Sequence, residues 1–173
     1  MDDKSVFEQM DNSGLRVDLE SLKILRENYL QKMNSILENN GVSSVKELKG
    51  RVEKFLVTKF PQVRKFSLSK QALSVFNSQL CGSYLEAVSY QRTASILTSC
   101  EEKVLNGRIY FTHKLHEYTG RVYVGGFNYT NLPKDCRSII LPDENQVFVE
   151  LDVCATESVV LAVLSGDSTL LYR

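Results

Sequence analysis

The sequence predicts an α+β fold in which helices fill the first hundred residues and short strands follow. Apolar residues recur at helical spacing over residues 19–37 and again over residues 83–105, and the turns at Gly41 and Gly107 end these two patterns. After Gly107, β-branched and aromatic stretches alternate with glycine and proline turns, which is typical of short strands.

Between the two long helices, the pattern predicts a small helical tip. A helix over residues 45–56 stops before Pro61, and a shorter one covers residues 67–76. Side-chain oxygens precede each predicted helix and would accept hydrogen bonds from its first backbone N–H groups. The predicted N-caps are Asp18, Ser43 or Ser44, and Ser67 or Ser69.

The last third of the chain predicts strands over residues 108–112, 121–124 and 146–152. A helix is predicted over residues 155–164, with a stop at Ser165-Gly166-Asp167, and a further helical pattern begins at residue 168.

The charge of the chain is balanced, with 21 basic and 21 acidic side chains among 173 residues. This excludes a globally basic nucleic-acid-binding protein and leaves a local basic patch possible. Residues 46–70 carry eight basic and two acidic side chains, a net charge of +6. Such a segment either attracts a phosphate backbone or forms an ordinary solvated helix face.

The cysteines argue against a zinc site or a disulfide framework, because no two form a C-x-x-C pair and neither histidine has a thiol nearby. They are Cys81, Cys100, Cys136 and Cys154, and the histidines are His113 and His116. Reduced thiols, an acidic start without a signal peptide and no apolar run of about 20 residues predict a cytoplasmic protein without a membrane span.

The stretch from Val147 to Asp167 carries the most specific pattern. A hydrophobic strand is followed by Asp152, by Glu157 five residues later, and by Leu-Ala-Val-Leu-Ser-Gly-Asp. It resembles motif A of the family A DNA polymerases, D-Y-S-Q-I-E-L-R-V-L-A-H-L-S-G-D, without a gap from Asp152 to Asp167.

Other segments resemble the same family in order and at similar spacing. Thr119-Gly120-Arg121 matches its T-G-R, and Asn128 with Asn131-Leu132-Pro133 matches its P-N-L-Q-N-I-P. Residues 13–18 resemble the opening of the long thumb helix, and Tyr90-Gln91-Arg92 falls where the second thumb helix carries Y-R.

The resemblance implies that Asp152 is a catalytic aspartate that holds Mg²⁺ for two-metal nucleotidyl transfer. It implies that Glu157 lies under the sugar of the incoming nucleotide and excludes a 2′-hydroxyl. The residues alone favour Asp152 as a strand-end aspartate that caps the next helix, and they are compatible with Glu157 as a helix-surface glutamate.

The resemblance also implies a DNA interface. Contacts near the primer terminus would test minor-groove geometry, and phosphate contacts would position the duplex. The implied DNA-binding residues are Arg121, Asn128 and Asn131 near the primer terminus, and Lys65, Lys70 and Arg92 on the phosphates. Turn chemistry alone could account for the two asparagines.

Several positions depart from the motif. Val153, Cys154 and Ala155 replace its Tyr, Ser and Gln, Val159 replaces an arginine, and Thr130 replaces a glutamine. These changes bear on the fine geometry of the nucleotide pocket.

On this basis we expect residues 1–106 to form a thumb, with two long helices and a small helical tip. Residues 107–173 would form the N-terminal part of a palm with a partial antiparallel sheet. Fingers and a second catalytic aspartate are not found before Arg173. We therefore expect a subunit of a split polymerase that is inactive alone and acts on primer-template DNA and dNTP with a second chain carrying the fingers and remaining palm.

Three alternatives stay open. The chain could be a catalytically inactive DNA-binding accessory protein that retains the polymerase scaffold. It could be a truncated piece of a polymerase. It could also be an unrelated α+β domain whose motif matches arise by chance.

Overall fold

The computed structural model describes residues 3–127, 129–151, 155–167 and 169. The chain divides into two compact units, Met1–Leu141 and Pro142–Arg173, and each is considered by itself. The helices are α1 (Asp3–Ser13), α2 (Leu19–Asn39), α3 (Val45–Lys59), α4 (Lys70–Ser74), α5 (Gln79–Lys103) and α6 (Thr156–Ser165). The strands are β1 (Leu15–Val17), β2 (Val104–Leu105), β3 (Arg108–Ile109), β4 (Phe111–Leu115), β5 (Val122–Gly126) and β6 (Ile140–Leu141), and 3₁₀ turns cover Tyr129–Asn131 and Lys134–Ile139.

Three of the predicted N-caps are confirmed. The Asp18 carboxylate accepts hydrogen bonds from the backbone N–H groups of Glu20 and Ser21 at 3.1 and 3.0 Å, and α2 begins directly after it. Ser44 caps α3 in the same way, and Ser69 caps α4. Each cap satisfies donors that have no partner within the first turn of a helix.

The two long helices α2 and α5 run antiparallel and join two separate cores. The base core consists of Val17, Leu22, Tyr29, Ala94, Leu97, Cys100, Ile109, Phe111, Phe127, Leu132, Cys136 and Ile139. The tip core consists of Leu37, Val42, Val45, Leu48, Val52, Leu56, Leu73, Cys81, Tyr84 and Ala87. At the base, Arg26 and Lys23 of α2 both pair with Glu101 of α5.

Helix α5 begins four residues before the predicted start at Ser83. The sequence Gly82-Ser83 favours a turn, but Cys81 and Tyr84 are buried in the tip core, and this packing continues the helix through the glycine. Helix α1 was not predicted. The turn signal before Gly14 marks its end at Ser13.

The strands form two antiparallel sheets. The first has the order β2-β3-β1-β6, and the second pairs β4 with β5. The single strand predicted over residues 108–112 is therefore wrong. It is two strands that separate at Tyr110, because β3 pairs with β1 and β2 whereas β4 pairs only with β5.

In the second unit, the strand predicted over residues 146–152 is also corrected. Residues 146–151 form no strand, since alternating β-branched residues supply propensity but a ladder needs a paired neighbour. Among the described residues, none pairs with this segment. Helix α6 agrees with the prediction to within one residue at each end. Asp152 lies outside the described residues, as do residues 168 and 170–173 of the predicted final helix.

None of the helices formed by the described residues combines the length and apolar composition that crossing a membrane requires.

Candidate nucleic-acid interface and motif A segment

The motif A segment is described from Ala155 onward, so the structure gives Glu157 a position but not Asp152 or Cys154. Glu157 lies in the first turn of α6 and is exposed. An acidic side chain is favourable there, because the backbone N–H groups give this end of a helix a partial positive charge.

The Ser-Gly-Asp ending of the motif has a local structural reason. The backbone N–H groups of Gly166 and Asp167 both donate to the carbonyl of Ala162, which closes the end of α6. Gly166 adopts φ +69°, a left-handed conformation that costs glycine little. Asp167 then accepts a hydrogen bond from the backbone N–H of Thr169 at 2.9 Å.

Thr119-Gly120-Arg121 forms the turn between β4 and β5. The N–H of His116 donates to the carbonyl of Arg121 at 2.8 Å, and the N–H of Gly120 donates to the carbonyl of His116 at 2.9 Å. Gly120 has φ +63°, which explains the glycine. The exposed Arg121 side chain therefore extends from the end of a two-stranded hairpin.

Asn131 ends a 3₁₀ turn and is exposed, whereas the next residue, Leu132, is buried in the base core. The N–H of Leu132 donates to the carbonyl of Tyr129 at 3.1 Å. Leucine thus anchors this turn and leaves Asn131 on its surface. Asn128 lies outside the described residues.

The predicted phosphate-binding residues are all exposed but are not all brought together. Lys65 lies in the segment between α3 and α4, Lys70 is the first residue of α4, and Arg92 is on α5. Lys65 lines a groove of about 530 Å³ together with Lys49 and Arg64. In the described part of the chain, Lys70 and Arg92 lie outside the lining of this groove.

The sequence analysis did not predict the other residues of this groove. Its lining adds Glu53, Val57, Phe66, Leu68 and Tyr84 to the three cations. Lys49, Glu53 and Val57 follow one another at intervals of four, which places them on one face of α3 and was a readable signal. Tyr84 comes from α5, and no local pattern connects it with them.

A second feature that the sequence did not indicate joins α1 to β4. The backbone N–H of His113 and its ring Nδ1 both contact Asp11 Oδ1, at 3.0 and 2.6 Å. His113 is buried, and Phe7 stacks on its ring at a centroid distance of 6.1 Å. A cavity of about 360 Å³ adjoins His113.

The motif resemblance implies a magnesium site, which needs carboxylate or other oxygen ligands close together. Among residues 3–127, 129–151, 155–167 and 169, no three carboxylate, imidazole or thiol groups lie close enough to hold a metal. The motif itself supplies the carboxylate of Asp152, which is a hard oxygen donor. One or two such groups, completed by substrate phosphates, suit Mg²⁺.

The fold of the chain is similar to that of part of a DNA polymerase domain. The chain is similar to a solved structure of the POL domain of Pol1 from M. smegmatis in complex with DNA primer-template and dNTP, with a TM-score of 0.71 and 20% sequence identity. The match covers 92% of this chain and 32% of that one, so the chain spans about a third of the polymerase domain it resembles. No protein-family model matches the sequence, and no curated protein matches it.

Proposed function

We propose that this chain is the thumb and the first part of the palm of a family A DNA polymerase. The observation that carries this proposal is the similarity of fold to a polymerase domain over 92% of the chain, at a TM-score of 0.71. Thumb and palm would meet at residues 106/107, in the turn between β2 and β3 that follows the end of α5 at Lys103. The ungapped motif A resemblance from Asp152 to Asp167 favours family A.

In this proposal, the motif A aspartate, Asp152, holds Mg²⁺, which supplies charge neutralisation for nucleotidyl transfer when it is bound. Glu157, at the start of α6, lies beneath the sugar of the incoming dNTP. Arg121 and Asn131 occupy exposed turns that lie against the minor groove near the primer terminus, together with Asn128.

The exposed cations Lys65, Lys70 and Arg92 contact phosphates of the primer-template duplex. Fingers and a second catalytic aspartate come from a second chain, and the complex is active where this chain alone is not. A partner must also cover apolar surface that the second unit exposes.

The test is primer extension by the complex purified from its source through a tag on this chain. Wild type should extend a primer and Asp152→Asn should not. Glu144→Gln, at an exposed position of the same unit, should match wild type. Extension by the pure chain would disprove the need for a partner.

Equal extension by wild type and Asp152→Asn would instead favour the second candidate, a catalytically inactive DNA-binding accessory protein. The specific observation behind that candidate is the replacement of the three residues after the aspartate by Val153, Cys154 and Ala155.

A further inference from the structure

The tip of the α2–α5 pair carries a groove whose lining combines charged and apolar side chains. The cations are Lys49, Arg64 and Lys65, and the lining also includes the acidic Glu53. Lys49 already pairs with Glu53 at 3.6 Å. Arg64 and Lys65 have no carboxylate within ion-pair distance among the described residues, so they are the cations available to an anionic ligand.

The segment that carries these two cations is held in place. Phe60 packs against Phe66 and Phe76 at ring-centroid distances of 6.3 and 5.3 Å. The N–H of Val63 also donates to the carbonyl of Phe60 at 3.0 Å. Because this aromatic cluster fixes both flanks, Arg64 and Lys65 are presented at little further cost in chain entropy.

The remaining lining residues are apolar or aromatic. They are Val57, Phe66, Leu68 and Tyr84, and Val57 is 55% exposed. A duplex backbone offers phosphates and sugars, for which cations suffice. An apolar wall beside cations instead matches an unpaired nucleotide, whose base has an apolar face and whose phosphate is anionic.

We infer that this groove binds an unpaired segment of DNA, with Arg64 on a phosphate and a base against Val57 and Phe66. The guanidinium of Arg64 can hold a phosphate through two parallel hydrogen bonds. The volume of about 530 Å³ lies within the usual range for small-ligand sites, about 300–1,000 Å³. The choice of DNA as the anion rests on the proposed function.

Charge complementarity favours an anionic occupant. Residues 59–70 contain four cations and no acidic side chain. The alternative occupant is an acidic peptide with an apolar side chain, which would contact the same lining residues. The experiment below distinguishes the two.

Binding is measured by fluorescence anisotropy with a short labelled oligothymidylate and a blunt duplex of equal length, over a series of salt concentrations. The groove variant is Arg64→Ala, which leaves the proposed duplex contact Lys65 in place. Its matched control is Lys54→Ala, an exposed cation of α3 outside the groove lining. Circular dichroism checks that all variants are folded.

For the oligothymidylate, the groove variant should lose about 0.7 in the slope of log affinity against log salt, which is the contribution of one single-strand phosphate contact. The control should keep a steeper slope than the groove variant. Val57→Ser should weaken single-strand binding several-fold and leave duplex binding unchanged.

Equal single-strand affinity in groove and control variants would overturn the inference, as would equal losses for single strand and duplex. Competition by a polyglutamate peptide as effective as that by unlabelled oligothymidylate would overturn it in favour of an acidic protein partner. Because nucleotide and Mg²⁺ are absent, the outcome is independent of whether the complex extends primers.

Discussion

Cys100 lies on α5 inside the base core and is fully buried. Burial, and secondarily the negative charge of Glu101, raises the pKa of its thiol from 9.0 to about 11. Burial and a hydrogen bond to Asp135 likewise raise the pKa of Tyr29 in the same core. Both groups are therefore held neutral by the fold.

These shifts predict a loss of stability at alkaline pH. The unfolded chain releases the Cys100 proton near pH 9.0, whereas the folded chain keeps it until about pH 11, so the free energy of unfolding falls across that interval. Urea denaturation from neutral pH to pH 11 measures this fall. Cys100→Ala should make the free energy of unfolding fall less steeply with pH. A urea midpoint that does not change with pH would contradict the prediction.

Glu157 carries a prediction about substrate choice. If it lies beneath the nucleotide sugar, Glu157→Ala removes a clash with the 2′-hydroxyl. Incorporation of ribonucleotides relative to deoxynucleotides should then rise about 10- to 200-fold, which is the range that one steric contact in a pocket supplies. The ratio of kcat/KM values in the purified complex measures the change.

Ser158→Ala is the matched control for Glu157→Ala, because this exposed residue is next along α6. Unchanged sugar discrimination in Glu157→Ala would place the glutamate on an ordinary helix surface.

At the scale of elements, α1 depends on a polar contact with β4. Asp11→Ala leaves the buried N–H of His113 and its ring Nδ1 without their partner. An unsatisfied buried polar group costs about 1–3 kcal/mol, and the free energy of unfolding should fall by that amount. Glu8→Ala, an exposed position on the same helix, should change it little.

Hydrogen exchange resolves the same contact element by element. Faster exchange in α1 of Asp11→Ala, with α2 and α5 unchanged, is expected. If hydrogen exchange in α1 is the same in Asp11→Ala as in wild type, the stacking of Phe7 on His113 alone holds α1.

What could be predicted from sequence depended on the range of the interaction. The caps at Asp18, Ser44 and Ser69 act within three residues and were identifiable from residue type. The division at Tyr110 was not, because pairing between β1 and β3 joins residues more than 90 positions apart. The strand prediction over residues 146–152 was wrong over residues 146–151 for the same reason, because β propensity does not identify a partner strand.

The candidate site follows the same rule. Gly120 and Gly166 lie in turns whose hydrogen bonds are local. Both glycines are part of the sequence motifs, so the sequence could indicate these turns. The groove needs Tyr84 from α5 beside Lys49 from α3, and only the tertiary contact between these helices assembles it. A linear motif has no means of recording such a contact.

At the scale of the whole molecule, the second unit exposes much apolar surface. Five large apolar side chains of α6 are exposed: Val159, Val160, Leu161, Val163 and Leu164. Val147, Phe148, Val149 and Leu151 are exposed as well. A helix that is apolar on most of its circumference is normally buried, so another surface is expected to cover α6.

Leu164→Glu tests this expectation. Leu164 is 81% exposed, so the charge should raise the solubility of the isolated chain without disturbing its fold. In the proposed complex it should reduce recovery of the second chain at least several-fold. Gln146→Glu adds the same charge at an exposed polar position and should do neither. Solubility limits and copurified yield are the measurements.

The α2–α5 pair has a mechanical consequence for the tip. A helix of 21 residues is about 30 Å long, so in any rotation with the base core as pivot the pair would serve as a lever. A rotation of about 10° at that pivot would sweep the far end through an arc of about 5 Å over this length. Small repacking around Leu22 and Cys100 would thus be magnified into a stroke at Arg64 and Lys65.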